Sequence, residues 1–252
     1  MSMAPRGHGT RLMAMVCHGD EQAELPLLWT LCAALTRQHY QVTVLDGSKQ
    51  ESEENPGLQH MLDYSGWQDT AAGTQPPWCI VPARQGLHTL AASTAAAPQW
   101  ANALQSGPLH AANAVVIVYA PADLLTSVID QTGVTPLLAL SSGKTSLMTS
   151  YLALKRLLIN SNRVPTIAHI HSSQQAVESP DVVARCLKDC ARQFLNVNLS
   201  MHTLHLNADT ASVHADMQAL VQLLLDESVT LEAPWSAVRT PAYASQGLAT
   251  RM

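Results

Sequence analysis

Apolar residues recur along this chain in short blocks, and the spacing within the blocks alternates between two periods. Arg11 to Val16 (RLMAMV) has the length of a buried strand. From Leu25 to Gln38 the residues Leu27, Leu28, Leu31, Cys32 and Leu35 recur at helical spacing. Pro26 stands near the start of that run, where Pro is tolerated because the first amides of a helix lack a helical partner. Gln41 to Leu45 (QVTVL) is short and β-rich. Strand, helix and strand in close succession make a βαβ unit, which implies parallel strands.

The alternation continues. Gly47 to Gly57 is polar and acidic and reads as a loop, with a short helix over Gly57 to Asp63 and turns over Gly66 to Pro77. Strands are predicted over Trp78–Pro82, Ala112–Tyr119, Pro136–Leu140, Thr166–His171 and Thr203–Leu206. Helices are predicted over Thr89–Leu104, Leu124–Thr132, Ser146–Leu158, Pro180–Phe194 and Ala215–Leu225. Such a series points to a doubly wound α/β domain with a mostly parallel sheet flanked by helices. It is expected to be a single domain over residues 11–232, between flexible tails at 1–10 and 233–252. In these folds ligands bind beyond the carboxyl ends of the strands, so the loops after Val16, Leu45, Tyr119 and Leu140 are the places to look.

Composition narrows the function. The 252 residues are 47% hydrophobic and only 13% charged, too apolar for a disordered chain. A net charge of -5 argues against a general nucleic-acid binder, which needs a basic stripe. It also argues against electrostatic attachment to anionic lipid. No apolar run approaches a membrane span, and Met1 to Arg11 lacks the apolar core of a secretory signal. Cys17, Cys32, Cys79, Cys186 and Cys190 form no disulfide framework. A cytoplasmic protein with reduced thiols is expected.

Ser142-Gly143-Lys144-Thr145-Ser146 carries the GKT ending of a phosphate-binding loop. The first Gly of a working loop would fall on Leu138, inside a predicted strand, so this loop is too short to wrap a phosphate. A helix start capped by Ser or Thr, with Lys144 exposed, is expected instead. Ser141 to Lys144 also fits S-x-x-K, but its companion motifs SDN and KTG are absent, as is G-x-S-x-G. The 11 His invite a metal reading. His202 and His205 near Asp209, and Cys186 with Cys190, make two pairs at best, short of the three or four converging ligands of a zinc site. His169 and His171 are not expected to chelate together, and no metal is predicted. Trp29 is expected to serve packing. Trp235 and Tyr243 lie in the C-terminal tail.

Several segments, in order, carry a family resemblance over roughly Arg11 to Leu225. They are Leu31 to Leu35 followed by Tyr40 to Asp46, Gly57-Leu58-Gln59-His60-Met61-Leu62, Ile80-Val81-Pro82-Ala83, Val115 to Pro121 (VVIVYAP), Leu140 to Leu158, and Asn162-Arg163-Val164. Together they resemble the MinD/ParA family of P-loop ATPases, with the FlhG-like branch that regulates flagellar number and the cellulose-synthesis branch nearest. The resemblance implies that the nucleotide loop lies between Val16 and Leu27, where the family has K-G-G-V-G-K-T. Here the segment reads Gly19-Asp20-Glu21-Gln22-Ala23-Glu24-Leu25. The family's terminal Lys falls on Glu24, its Mg²⁺-holding hydroxyl residue on Leu25, its first Lys on Gly19, and its strand-end Asp on Tyr119. The acidic switch position survives as Asp46.

That replacement has a physical consequence. Phosphate binding at a helix N-terminus uses bare amides, the positive end of the dipole and a Lys. Asp20, Glu21 and Glu24 bring carboxylates there instead, so the loop becomes its own anion. Without the Lys and the Mg²⁺ positions, phosphoryl transfer lacks its electrostatic clamp. The expectation is a pseudo-ATPase without a cofactor, binding ATP and Mg²⁺ only if the divergent loop still holds them. Its partners are expected to be proteins, such as a related P-loop GTPase or ATPase or a flagellar or secretion component. The family's basic C-terminal membrane helix has no counterpart in the last predicted helix, which contains Asp216 and is followed by Asp226 and Glu227. The Asp-Gln-Ala motif of FlhG-type proteins is absent from Met1 to Thr10.

Overall fold

A computed structural model describes residues 9–63, 78–92, 113–130, 132–171, 181–205 and 210–231. The strands are β1 (Thr10–Cys17), β2 (Gln41–Asp46), β3 (Trp78–Pro82), β4 (Ala114–Pro121), β5 (Pro136–Leu140), β6 (Thr166–Ile170), β7 (Met201–Leu204) and β8 (Val229–Leu231). The helices are α1 (Glu21–Arg37), α2 (Leu58–Asp63), α3 (Arg84–Ala92), α4 (Ala122–Ile129), α5 (Lys144–Ser161), α6 (Asp181–Leu195) and α7 (Thr210–Glu227). One sheet runs in the order β3-β2-β4-β1-β5-β6-β7 with parallel neighbours, and β8 adds an antiparallel partner to the start of β1. The predicted α/β class, doubly wound around a mostly parallel sheet, is what the structure shows.

Strand periodicity sorts the core into two layers. Leu12, Ala14 and Val16 of β1, with Val116, Val118 and Ala120 of β4, face α2 to α6. The alternate residues Met13, Met15, Val115, Ile117 and Tyr119 face α1 and α7. Both faces are covered, which is why these strands read as continuous apolar runs. On α1 the residues Leu27, Leu28, Leu31 and Leu35 are at most 2% exposed. Burying each contributes about 1.5–3 kcal/mol. Tyr119 thereby points towards α1, and this places its hydroxyl beside the β1–α1 loop.

From β1 the chain crosses through α1 to β2, and from β4 it crosses through α4 to β5 on the other side. β1 and β4 are neighbours, so their carboxyl ends flank the switch point where ligands bind in such sheets.

Several boundaries differ from the sequence expectation. Helix α1 begins at Glu21 rather than Leu25, so Pro26 lies inside it and not at its start. The earlier start reflects the first turn, where the Ala23 and Glu24 amides donate to the Asp20 carbonyl. Helix α3 begins at Arg84 rather than Thr89, because Glu51 accepts the Gln85 and Gly86 amides at 2.7 and 2.8 Å and caps that end. Gly57 is required nearby, since a Cβ there would sit 1.9 Å from the Pro82 carbonyl oxygen. Thr10 is buried within β1 and is not part of a tail. Helix α7 starts at Thr210, before the predicted Ala215, and β7 starts at Met201. β8 was not predicted; three residues are too few for a periodicity. The turns predicted over 66–77, the far half of the helix predicted to Leu104, Asp209 and the C-terminal tail with Trp235 and Tyr243 lie outside the described residues.

Candidate functional site: a loop closed on its own carboxylate

The β1–α1 loop passes through Gly19, whose φ of +92° suits glycine. Helix α1 then turns Glu24 inward. Its side chain is fully buried. Oε1 accepts the backbone N–H of His18 at 3.1 Å and that of Asp20 at 2.7 Å. Oε2 accepts the Tyr119 hydroxyl at 2.5 Å. Both carboxylate oxygens are thus held by donors, two of them loop amides at a helix N-terminus. Amides in this position are the groups that bind anions in other proteins. A charged acceptor strengthens each of these bonds.

The neighbouring side chains close the crevice. The His18 ring is buried, with Nε2 3.0 Å from the Ala139 carbonyl oxygen and Nδ1 3.0 Å from Thr149 Oγ1. The same Nδ1 lies 3.6 Å from Glu24 Oε1. Ser141 donates from Oγ to Asp20 Oδ2 at 2.9 Å. The β1–α1 loop is therefore stitched to the loop between β5 and α5. Glu21 and Gln22 point to solvent, Ala23 is buried and Leu25 is half-buried. Asp46, at the end of β2, accepts the Ser48 amide and hydroxyl on Oδ1 at 2.9 and 2.6 Å and is held within its own turn.

Cys17 and Tyr119 feel this environment. Burial pushes the Cys17 thiol up to about 11; a hydrogen bond from Tyr119 opposes the shift, and Glu24 and Asp46 add to it. The Tyr119 hydroxyl is raised first by burial and then by hydrogen bonds with Cys17 and Glu24. Both groups stay protonated at neutral pH, so Tyr119 remains a donor to Glu24 and Cys17 is no thiolate nucleophile.

The residues do not fit Mg²⁺ and a nucleotide phosphate. The amides of His18 and Asp20 already carry an anion, and Tyr119 occupies the position facing it. The GKT segment differs from expectation in one detail. Gly143, not Ser or Thr, is the N-cap of α5, and Ser146 Oγ instead accepts the Ser141 amide at 2.8 Å. Lys144 is exposed, as expected. Trp29 lies outside the core; it is 54% exposed on α1, because the buried stripe of that helix runs through Leu27, Leu28 and Leu31. Among the described residues no three or more His, Cys, Asp or Glu gather around one point, and no helix is long and apolar enough to cross a membrane.

Sequence reasoning placed the carboxylates between β1 and the body of α1 but missed their division of labour. It also missed His18 and Ser141. The one available signal was the joint appearance of Glu24 and Tyr119 at positions that the resemblance assigns to a Lys and an Asp.

Solved structures share this architecture. The MinC:MinD cell division protein complex of Aquifex aeolicus superposes with a TM-score of 0.55 at 10% identity, covering 88% of this chain and 98% of that one. A plasmid partition protein from Borrelia burgdorferi, bound to AMPPNP, gives 0.53 at 9% identity over 85% and 98%. Cobyrinic acid a,c-diamide synthase from Mycobacterium smegmatis gives 0.53 at 14% identity over 86% and 94%. Neither a protein-family model nor a curated protein matches the chain. The fold is therefore the one these MinD and plasmid partition structures share. In this chain the Glu24 carboxylate fills the β1–α1 loop.

Glu24→Ala leaves two amides and a hydroxyl without their acceptor and is expected to destabilise the fold by about 3 kcal/mol. Tyr119→Phe is expected to cost about 1–2 kcal/mol, both read by urea denaturation. A Glu24→Ala protein as stable as the wild type would remove the carboxylate from its assigned role. A second expectation concerns pH. The Cys17 thiol is raised in the fold from its ordinary value of 9.0 to about 11. The unfolded chain therefore loses its proton first as pH rises, and stability falls between about pH 9 and pH 11. Cys17→Ala should make that fall less steep, the remainder coming from the buried Cys32 and Tyr119, which are also raised in the fold, and an unchanged slope would contradict the burial assigned to the thiol.

Proposed function

We propose that this chain is a non-catalytic regulator or scaffold that keeps the MinD/ParA-type fold and works through protein partners. The observation that carries the reading is the Glu24 carboxylate bound to the His18 and Asp20 amides. A triphosphate would have to displace a buried, fully hydrogen-bonded anion and then sit without a Lys or Mg²⁺ ligands. The Borrelia partition protein binds AMPPNP; the loop of this chain supports the opposite behaviour. The resemblance of its segments to the FlhG-like branch favours a setting in flagellar number or placement. A role beside cellulose or polysaccharide secretion is the neighbouring alternative.

The outer face of α5 supports a partner of a particular kind. Met148, Leu152 and Ile159 are 67%, 49% and 71% exposed. Their spacing puts them on one stripe with Lys155. Helix α5 carries Lys144, Lys155 and Arg156 and no acidic residue. An apolar row flanked by cations suits an acidic amphipathic helix, whereas two copies meeting on this stripe would oppose like charges.

The test is thermal denaturation of the full chain with ATP and Mg²⁺. No shift is expected at millimolar nucleotide, because a ligand raises the midpoint only by binding the folded state. A rise that grows with ATP concentration would instead support a nucleotide-gated switch. Glu24→Lys alone is expected to give no ATP turnover, since Leu25 and Tyr119 still replace the Mg²⁺ positions; measurable hydrolysis by that variant would contradict the loop assignment.

A further inference from the structure

The sheet ends on one side at β3, and among the described residues β3 pairs with β2 alone. Alternation along the strand divides its backbone groups. The Ala83 amide donates to the Asp46 carbonyl of β2 at 3.0 Å. Every second residue of a strand turns the same way, so Val81 and Cys79 also aim their amides and carbonyls at β2. The amides and carbonyls of Trp78 and Ile80, and the carbonyl of Pro82, therefore line the open edge. Pro82 has no N–H to leave unpaired there. No residue of Trp78–Pro82 is charged. An apolar, uncharged edge is a template for another strand, and charge is a usual means of preventing that.

The face above this edge is apolar as well. The register pairs Val42 with Trp78 and Val44 with Ile80. Val42 and Val44 lie in the core layer under α1, so Trp78 and Ile80 point to the α1 side; Trp78 packs against that layer and Ile80 is 46% exposed. Helix α1 passes close to β3. The Cys32 thiol of α1 is raised first by burial, and Cys79 of β3 lies near enough to add to the push. Trp29 stands one turn before Cys32 on the same flank, with the half-buried Leu25 one turn before it. Trp29 and Ile80 thus overlook the same edge. Each is the middle residue of its element, Trp29 of Glu21–Arg37 and Ile80 of Trp78–Pro82.

We propose that a second copy of this chain docks on β3. The two β3 strands run antiparallel about a two-fold axis that passes beside Ile80, perpendicular to the sheet, and the two sheets become one. Such an interface is isologous, each copy presenting the same patch. In this register Ile80 exchanges both edge hydrogen bonds with Ile80 of the second copy, and the Trp78 amide donates to the Pro82 carbonyl of the second copy. The axis leaves both α1 helices on one face, so the two Trp29 side chains close over the paired Ile80 residues. Charge selects this occupant. Glu21 is exposed at the start of α1 and Arg37 at its end. Antiparallel copies set the acidic end of one helix beside the basic end of the other, with their dipoles opposed. The cationic stripe of α5 lies on the other face of the sheet and stays free. The pairing needs no nucleotide and does not involve the β1–α1 loop, so it stands or falls apart from the reading of that loop.

The experiment is sedimentation equilibrium of the full chain, without nucleotide, over a series of concentrations. The mass is expected to rise with concentration from 27.1 kDa towards twice that value. Ile80→Lys should leave a monomer, because two ammonium groups would face each other at the axis. Trp29→Ala should weaken the dimer at least about ten-fold, as loss of a Trp anchor does. Cross-linking reads the register. Cys79 stands opposite Val81 of the second copy in a non-hydrogen-bonded pair, with Cα atoms about 4.5 Å apart and within disulfide reach. Val81→Cys treated with copper phenanthroline in air should therefore give a disulfide-linked dimer, and adding Cys79→Ser should abolish it. Should Ile80→Lys lose its far-ultraviolet circular dichroism, Trp29→Lys takes its place. A monomer at every concentration, a dimer indifferent to the lysine variant, or a Val81→Cys chain that forms no cross-link or one that does not need Cys79 would each overturn the proposal.

Discussion

The β1–α1 loop depends on one buried carboxylate. Glu24 binds the His18 and Asp20 amides and the Tyr119 hydroxyl, and with these contacts the first turn of α1 forms at Glu21. Amides at the start of a buried helix need an acceptor, because leaving such donors unpaired away from water costs free energy. In a ligand-binding loop the acceptor arrives from solution. Here it is built into the chain, and the helix dipole favours its negative charge. The loop needs no ligand to be complete.

The remaining contacts of the crevice follow from that one. With the carboxylate inside, His18 turns to the Ala139 carbonyl and Thr149, and Asp20 reaches Ser141. Two loops that flank the switch point of the sheet become one connected network. Tyr119 takes part because the alternation of β4 aims it at α1, in the same layer as Met15 and Ile117. Its size and hydroxyl let it span from the sheet to Glu24. The Cys17 thiol is raised first by its own burial, and the Glu24 charge adds to that push.

Much of the fold was legible in the sequence because its signals are periodic. Leu27, Leu28, Leu31 and Leu35 mark a helix with one buried stripe, and the run from Val115 to Val118 marks a strand covered on both faces. What escaped was decided by contacts between distant residues. Glu51 sets the start of α3 from 33 positions upstream of Arg84. β8 is defined only by its pairing with β1. For the site, the sequence located the carboxylates, but the inward turn of Glu24 needed the position of Tyr119 across the sheet. Trp29 shows the converse: its size suggested packing, yet the helix phase set by its leucines leaves it exposed.

The proposed function rests on Glu24 holding the loop amides that a phosphate would otherwise use. The most direct measurement is a crystal structure of the full chain grown with an ATP analogue and Mg²⁺. Glu24 should remain buried against the His18 and Asp20 amides, with no phosphate in the loop. A phosphate group bound to those amides, with the Glu24 side chain swung out, would contradict it.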